Sequence, residues 1–157
     1  MSANTLHQVI ADIVASLEQQ GIQRLVLVNG HGGNYSLGNV VQEANVSGPR
    51  MALFPHREDW ERARKAGGMV TSNHEDMHGG ELETSILLHV APGLVRPGYE
   101  EADWVADERT HLHLLGMGGY TQSGLIGRPS SADPEKGRLA LIDLTRSFAS
   151  HLNLLRS

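Results

Sequence analysis

Cysteine is absent from this chain. That excludes disulfides, thiolate metal ligands and a cysteine nucleophile, and it fits an expected cytoplasmic setting. No apolar run approaches the length of a membrane span, and no basic and then apolar leader opens the chain. Positive charge forms no tract either: 13 Lys and Arg stand against 18 Asp and Glu, for a net charge of −5. A nucleic-acid partner is therefore not expected. Repeats, low-complexity tracts and interdomain linkers are missing, so residues 1–157 read as a single domain with one core. Aromatic residues are few, at 4%, whereas histidines number 9. Histidine is the commonest metal ligand, which turns attention to metal chemistry.

Hydrophobic periodicity organises the rest. Leu6, Val9, Ile10, Ile13, Val14 and Leu17 trace a helical stripe that Asn4 or Thr5 can cap and Gly21 can end. Residues 24–28 read as a buried strand. A helix is expected over 34–45, with Leu37, Val40, Val41 and Ala44 on one face, and a short strand over 51–54 before Pro55. Residues 57–66 are polar, an exposed helix or a mobile excursion with Trp60 as its anchor. A helix is expected over 81–90, little regular structure over 94–119, and a Gly- and Pro-punctuated loop over 120–130. Asp133-Pro134-Glu135 then supplies an N-cap, a first-turn proline and an acid, starting a helix that buries Leu141, Leu144, Phe148 and Leu152. Helix alternating with strand argues an α/β fold with a mainly parallel sheet, whose sites form beyond the carboxyl ends of strands.

At such a strand end lies Asn29-Gly30-His31-Gly32-Gly33-Asn34. Glycines let the backbone approach a ligand closely. His31 can face a metal or substrate, or it can be a turn histidine in a phosphate-binding loop. The turn lacks the Lys-Ser/Thr ending of a Walker loop and misses the dinucleotide glycine spacing. About fifty residues on, His78 and Glu81 are three apart and share a face if both lie on a helical turn. An imidazole and a carboxylate so placed can both ligate a divalent ion, or one can ligate while the other moves protons. The plainer alternative is a solvated helix start, where acids are favoured by the dipole. Glu83 falls off that face, and is an orienting group or merely exposed. His74, Glu75 and Asp76 are ligand candidates or a polar loop. His111 and His113 alternate as on a strand, facing one metal or lying on the surface. No serine triad or Gly-x-Ser-x-Gly elbow is present, so metal-assisted hydrolysis is the most economical enzyme reading.

Taken together, these segments resemble the creatininase family of metal-dependent amidohydrolases. Residues 24–34 are similar to its strand-plus-NGHGGN segment. His78-Gly79-Gly80-Glu81-Leu82-Glu83-Thr84-Ser85 is similar to its HAGExETS segment, with Gly79 where alanine is usual. Residues 123–129 and Ala132-Asp133-Pro134-Glu135-Lys136-Gly137 resemble its G-V-x-G-x-P and A-T-x-E-K-G segments. The resemblance implies a three-layer α/β/α fold with a mainly parallel sheet, and a site with two divalent ions of zinc, manganese or iron. It makes His31 and Glu81 metal ligands and His78 the histidine that assists proton transfer at the substrate nitrogen. Creatininases proper carry a ligand where this chain has Gly33, so Glu81 is its expected substitute. That departure points to the wider family, which includes formamide hydrolases and a mycofactocin-precursor peptidase. The family's N-terminal Glu-x-His-Gly and Thr-Asp segments have no counterpart here. The match is thus expected to cover the C-terminal two-thirds of the family, with an N-terminal strand or strands and a helix missing. The implied activity is hydrolysis of a cyclic or non-peptide C–N bond in a small-molecule amide by metal-activated water. The alternatives are a catalytically incompetent, truncated member acting as an interaction or assembly subunit, and a phosphate- or nucleotide-binding α/β domain. A homo-oligomer, or a partner supplying the missing part, is expected in either family reading.

Overall fold

A computed structural model describes residues 1–156. They form two compact units: Met1–His56 with the chain from Arg146 onward, and Arg57–Thr145.

In the first unit, α1 (Ala3–Gln19) is capped by Ser2. The Ser2 hydroxyl accepts from the Thr5 amide at 3.2 Å, so the cap is Ser2 rather than the expected Asn4 or Thr5. Only one side of the expected stripe is used. Ile10 is buried and Leu6 and Val14 pack beside it, whereas Val9 and Ile13 stay exposed. Gly21 follows the helix at φ +80, a left-handed position that glycine adopts without strain. β1 (Leu25–Val28) and β2 (Met51–Phe54) then pair in parallel, with Leu25 opposite Met51 and Val28 opposite Phe54. Parallel neighbours need a crossover, and α2 (Leu37–Ala44) lies in it. Asn45 joins the end of α2 to the start of β2: its Oδ1 accepts from the amides of Arg50 and Met51, and its Nδ2 donates to the Met51 carbonyl. The core is Ile10, Leu37 and Met51, with Leu25, Leu27, Val40, Val41, Ala44 and Leu53 packed around them.

The second unit holds α3 (Arg57–Gly67), α4 (Glu81–Val90), α5 (Leu112–Leu115) and the first part of α6 (Pro134–Arg156). The polar 57–66 stretch is a regular helix with an inward face of Asp59, Ala63 and Arg64. Arg64 accounts for that face, since a buried guanidinium has to be satisfied by partners. It donates to Asn73 Oδ1, to the Thr71 carbonyl and to the Asp76 carbonyl, and pairs with Asp76 Oδ2 at 2.7 Å. As expected, Asp133 caps α6, its Oδ1 accepting from the Glu135 amide at 2.7 Å. The buried residues of α6 differ from expectation: Ala140, Leu144, Ser147 and Leu155 are buried, whereas Leu141, Phe148 and Leu152 are only partly so. Residues 91–133 hold short 3-10 turns, the four-residue α5 and isolated bridges, in keeping with the little regular structure expected over 94–119 and the loop expected over 120–130. Among the described residues no helix is long and apolar enough to cross a membrane.

Candidate active site

The first candidate segment leaves the end of β1. The Asn29 amide continues the ladder by donating to the Phe54 carbonyl at 2.7 Å. Its side chain then folds the turn: Oδ1 accepts from the His31 amide at 3.2 Å and from Asn34 Nδ2 at 3.0 Å. Asparagine suits this place because its carbonyl can stand in for a backbone acceptor. The turn presents His31, which is exposed. The imidazole lies over Gly33, so close that a Cβ at position 33 would sit 2.7 Å from Nε2. Gly33 is thus the floor on which His31 rests.

The second segment lies in the other unit. Single backbone bonds of 2.9 Å in each direction join His78 to Ile126. Gly79 at φ +67 turns the chain sharply before α4 begins at Glu81. The turn separates two residues that the sequence put on one helical face. His78 lies ahead of the helix, with its side chain 54% exposed and Nδ1 3.8 Å from Glu83 Oε2. Glu83, expected to orient a neighbour or lie exposed, also accepts from the Gly79 amide. Thr84 Oγ1 donates to the Gly79 carbonyl, and Ser85 Oγ accepts from the Asp133 amide.

Glu81 faces inward and is fully buried. Oε1 accepts from Lys136 Nζ at 2.5 Å, and Oε2 accepts from Thr71 Oγ1 at 2.6 Å and the Thr71 amide at 2.9 Å. The Val70 amide reaches both oxygens. Burial alone would push this carboxyl up. The Lys136 bond, the Thr71 hydroxyl and the two amides outweigh it and hold the group below the usual carboxylate range.

Asp76, read from sequence as a ligand candidate or part of a polar loop, is a buried cap instead. Its Oδ1 and Oδ2 accept from the Glu81 and Leu82 amides, and Arg64 neutralises it. A Cβ at Gly80 would lie 1.6 Å from Asp76 Oδ1, so this capping requires glycine there. His74 is tied to residues 107–109: Nε2 is 3.0 Å from the Asp107 carbonyl, and Arg109 donates to the His74 carbonyl. Together with Met77 these residues line a cavity of about 620 Å³. His111 and His113 do not alternate on a strand; they lie at the start of α5 and within it. The sequence reading missed Lys136, Thr71 and Arg64. Lys136 stood inside a singled-out segment, but nothing local to it names Glu81 as its partner.

Taken unit by unit, the donors do not make up a metal site. Glu81 has spent its oxygens on four protein donors, and His31 offers one imidazole. Among the described residues, no group of three or more His, Asp or Glu side chains could hold a metal, whereas a zinc site takes three or four protein ligands.

Comparison with known proteins sets these segments in context. The family model Creatininase: Creatinine amidohydrolase matches residues 1–152. The expectation of a match confined to the C-terminal two-thirds of the family is not borne out by it. The mycofactocin precursor peptide peptidase of Mycobacterium ulcerans (strain Agy99) is 30% identical over 133 residues, covering 82% of this chain and 48% of that protein. Its counterpart in Mycobacterium tuberculosis (strain CDC 1551 / Oshkosh) is 32% identical over 124 residues, covering 74% of this chain and 42% of that protein. The chain thus spans about half the length, or less, of these curated relatives. Solved structures share the fold. A creatininase-like protein of Bacteroides fragilis NCTC 9343 gives a TM-score of 0.74 at 24% identity, covering 100% of this chain and 64% of that one. A creatininase described as Zn–Zn type gives 0.70 at 22% identity, covering 96% of this chain and 63% of that one. A creatininase-like α/β fold, the NGHGGN turn after its strand, the HGGELETS entry to its helix and a family match through residue 152 agree, and the chain belongs to the creatininase family.

Proposed function

We propose that the protein is a creatininase-type amidohydrolase acting on a small-molecule amide, cyclic or otherwise non-peptide, with His78 handing a proton to the departing nitrogen. One observation carries this reading. The His78 backbone is pinned to Ile126 while its imidazole stays half exposed beside Glu83. A proton carrier needs a fixed position and a free ring, and Glu83 on the Nδ1 side leaves Nε2 to face a substrate. Family membership supplies the reaction class, and the peptidase relatives make the nature of the amide the open variable. In this reading His31 is the imidazole available to a divalent ion (zinc, manganese or iron). The remaining donors come from a partner or a second copy of the chain.

The test is release of amine or ammonia from creatinine, formamides and short peptides by the full chain. Replacing His78 by Ala is expected to lower kcat by about 10²–10⁴-fold, with the circular dichroism spectrum unchanged. Wild-type turnover that survives His78→Ala would remove the proton-transfer role. A second reading, an interaction or assembly subunit without turnover, is favoured by the lack of a three-donor group among the described residues. A wild-type chain inert toward all three amide classes, with and without added Zn²⁺ or Mn²⁺, would select it.

A further inference from the structure

We infer that Glu81 is not a metal ligand in this chain but the buried half of a standing ion pair with Lys136, whose ammonium takes the cation's place and fixes the entry to α4. The inference concerns the ground-state structure and holds whether or not the chain cleaves amides.

Three observations carry it. The first is saturation. A carboxylate offers about four lone-pair positions, and Glu81 accepts from Lys136 Nζ, the Val70 and Thr71 amides and Thr71 Oγ1. A metal could bind only by displacing one of these. The second is the setting of the ammonium. Lys136 Nζ also donates to the Ser131 carbonyl at 2.8 Å, so it is held from two sides, and expelling it would strand a charge in a largely buried place. The third is the backbone around it. A Cβ at Gly137 would lie 2.1 Å from the Ser85 carbonyl oxygen, and one at Gly67 would lie 2.8 Å from the Lys136 carbonyl oxygen. Glycine contacts therefore bring the first turn of α6 directly against the backbones of α4 and α3. The backbone that carries Lys136 is thus closely packed on two sides, which fixes the point from which its side chain reaches Glu81.

Direct evidence would come from titrating ZnCl2 and MnCl2 into the full chain by calorimetry, with melting temperatures recorded in metal and in EDTA. The variants are Glu81→Gln, Lys136→Met and Lys136→Arg. The expected result is equal metal affinity for wild type and Glu81→Gln, whatever its absolute value. Lys136→Met should melt several degrees lower in EDTA, and Lys136→Arg, which keeps the charge, should recover most of that loss. A fall in metal affinity of about tenfold or more in Glu81→Gln would overturn the inference, as would a Lys136→Met chain that melts like wild type. If Lys136→Met does not fold, the affinity comparison between wild type and Glu81→Gln still decides it. Failure of amide turnover leaves this comparison untouched, so the two readings fail separately.

Discussion

Glu81 makes the stability of its unit depend on pH, and its surroundings set the sign. The folded-state pKa lies below the ordinary value because Lys136, Thr71 and two amides outweigh the effect of burial. A depressed carboxylate contributes stability above its unfolded pKa of about 4.3, and that contribution is lost as pH falls through the lower folded value. The wild-type melting temperature should therefore drop below about pH 4. Glu81→Gln should melt lower than wild type near neutrality, and the gap between them should narrow in acid. A gap that stays constant from neutral to acid pH would mean that the charge on Glu81 contributes nothing. The same residue shows what the sequence could convey at this scale. His31, His78 and Glu81 could be singled out because each stands in a compact motif. The destiny of Glu81 could not be read, because its partner lies 55 positions away and a carboxylate in a helix's first turn reads the same whether it faces water or Lys136. Asp76 was obscured likewise: three polar residues in a row do not reveal that Arg64, 12 positions earlier, claims one of them.

At the scale of elements, α4 and α6 meet through Gly137, whose missing side chain lets the Ser85 carbonyl approach. A methyl group there meets backbone, which cannot swing aside as a side chain would. Gly137→Ala should cost on the order of 3 kcal/mol, read as a lower urea midpoint with an unchanged slope. A loss under about 0.5 kcal/mol, typical of an exposed site, would mean that the two helices are not in such close contact. Helices and strands were largely legible. The strand at 25–28, the strand at 51–54 and the helix at 81–90 stand where apolar runs and breakers put them. The helix expected over 34–45 is shorter, Leu37–Ala44, because the Asn29 side chain holds Asn34 in the preceding turn. The segment at 57–66 was ambiguous because its inward face is charged rather than apolar, and periodicity reads only apolar residues. His78 and Glu81 were placed on one face because spacing alone does not show that Gly79 takes a positive φ.

For the whole molecule, apolar exposure is the feature to account for. In the first unit alone, Val9, Ile13, Ile22 and Val28 are exposed, Val28 at 73% despite lying on a strand. A second chain would cover such residues if they lay together in one patch, so the expected assembly is open to a direct test. Sedimentation velocity at micromolar concentration should show a dimer or larger species. A single monomeric boundary at every concentration would count against both a second copy and a shared site.

The Glu81–Lys136 pair also has a meaning in time. Its members lie 55 positions apart, so it exists only after the long loop between Glu81 and Lys136 has closed. Loop closure costs entropy before any contact repays it, and contacts between distant segments slow the search for the native state. In the order of folding the pair is therefore a late latch rather than a nucleus. Such interactions, absent from the transition state, act mainly by slowing escape from the native state. The buried carboxylate would then set how long the chain stays folded more than how fast it folds.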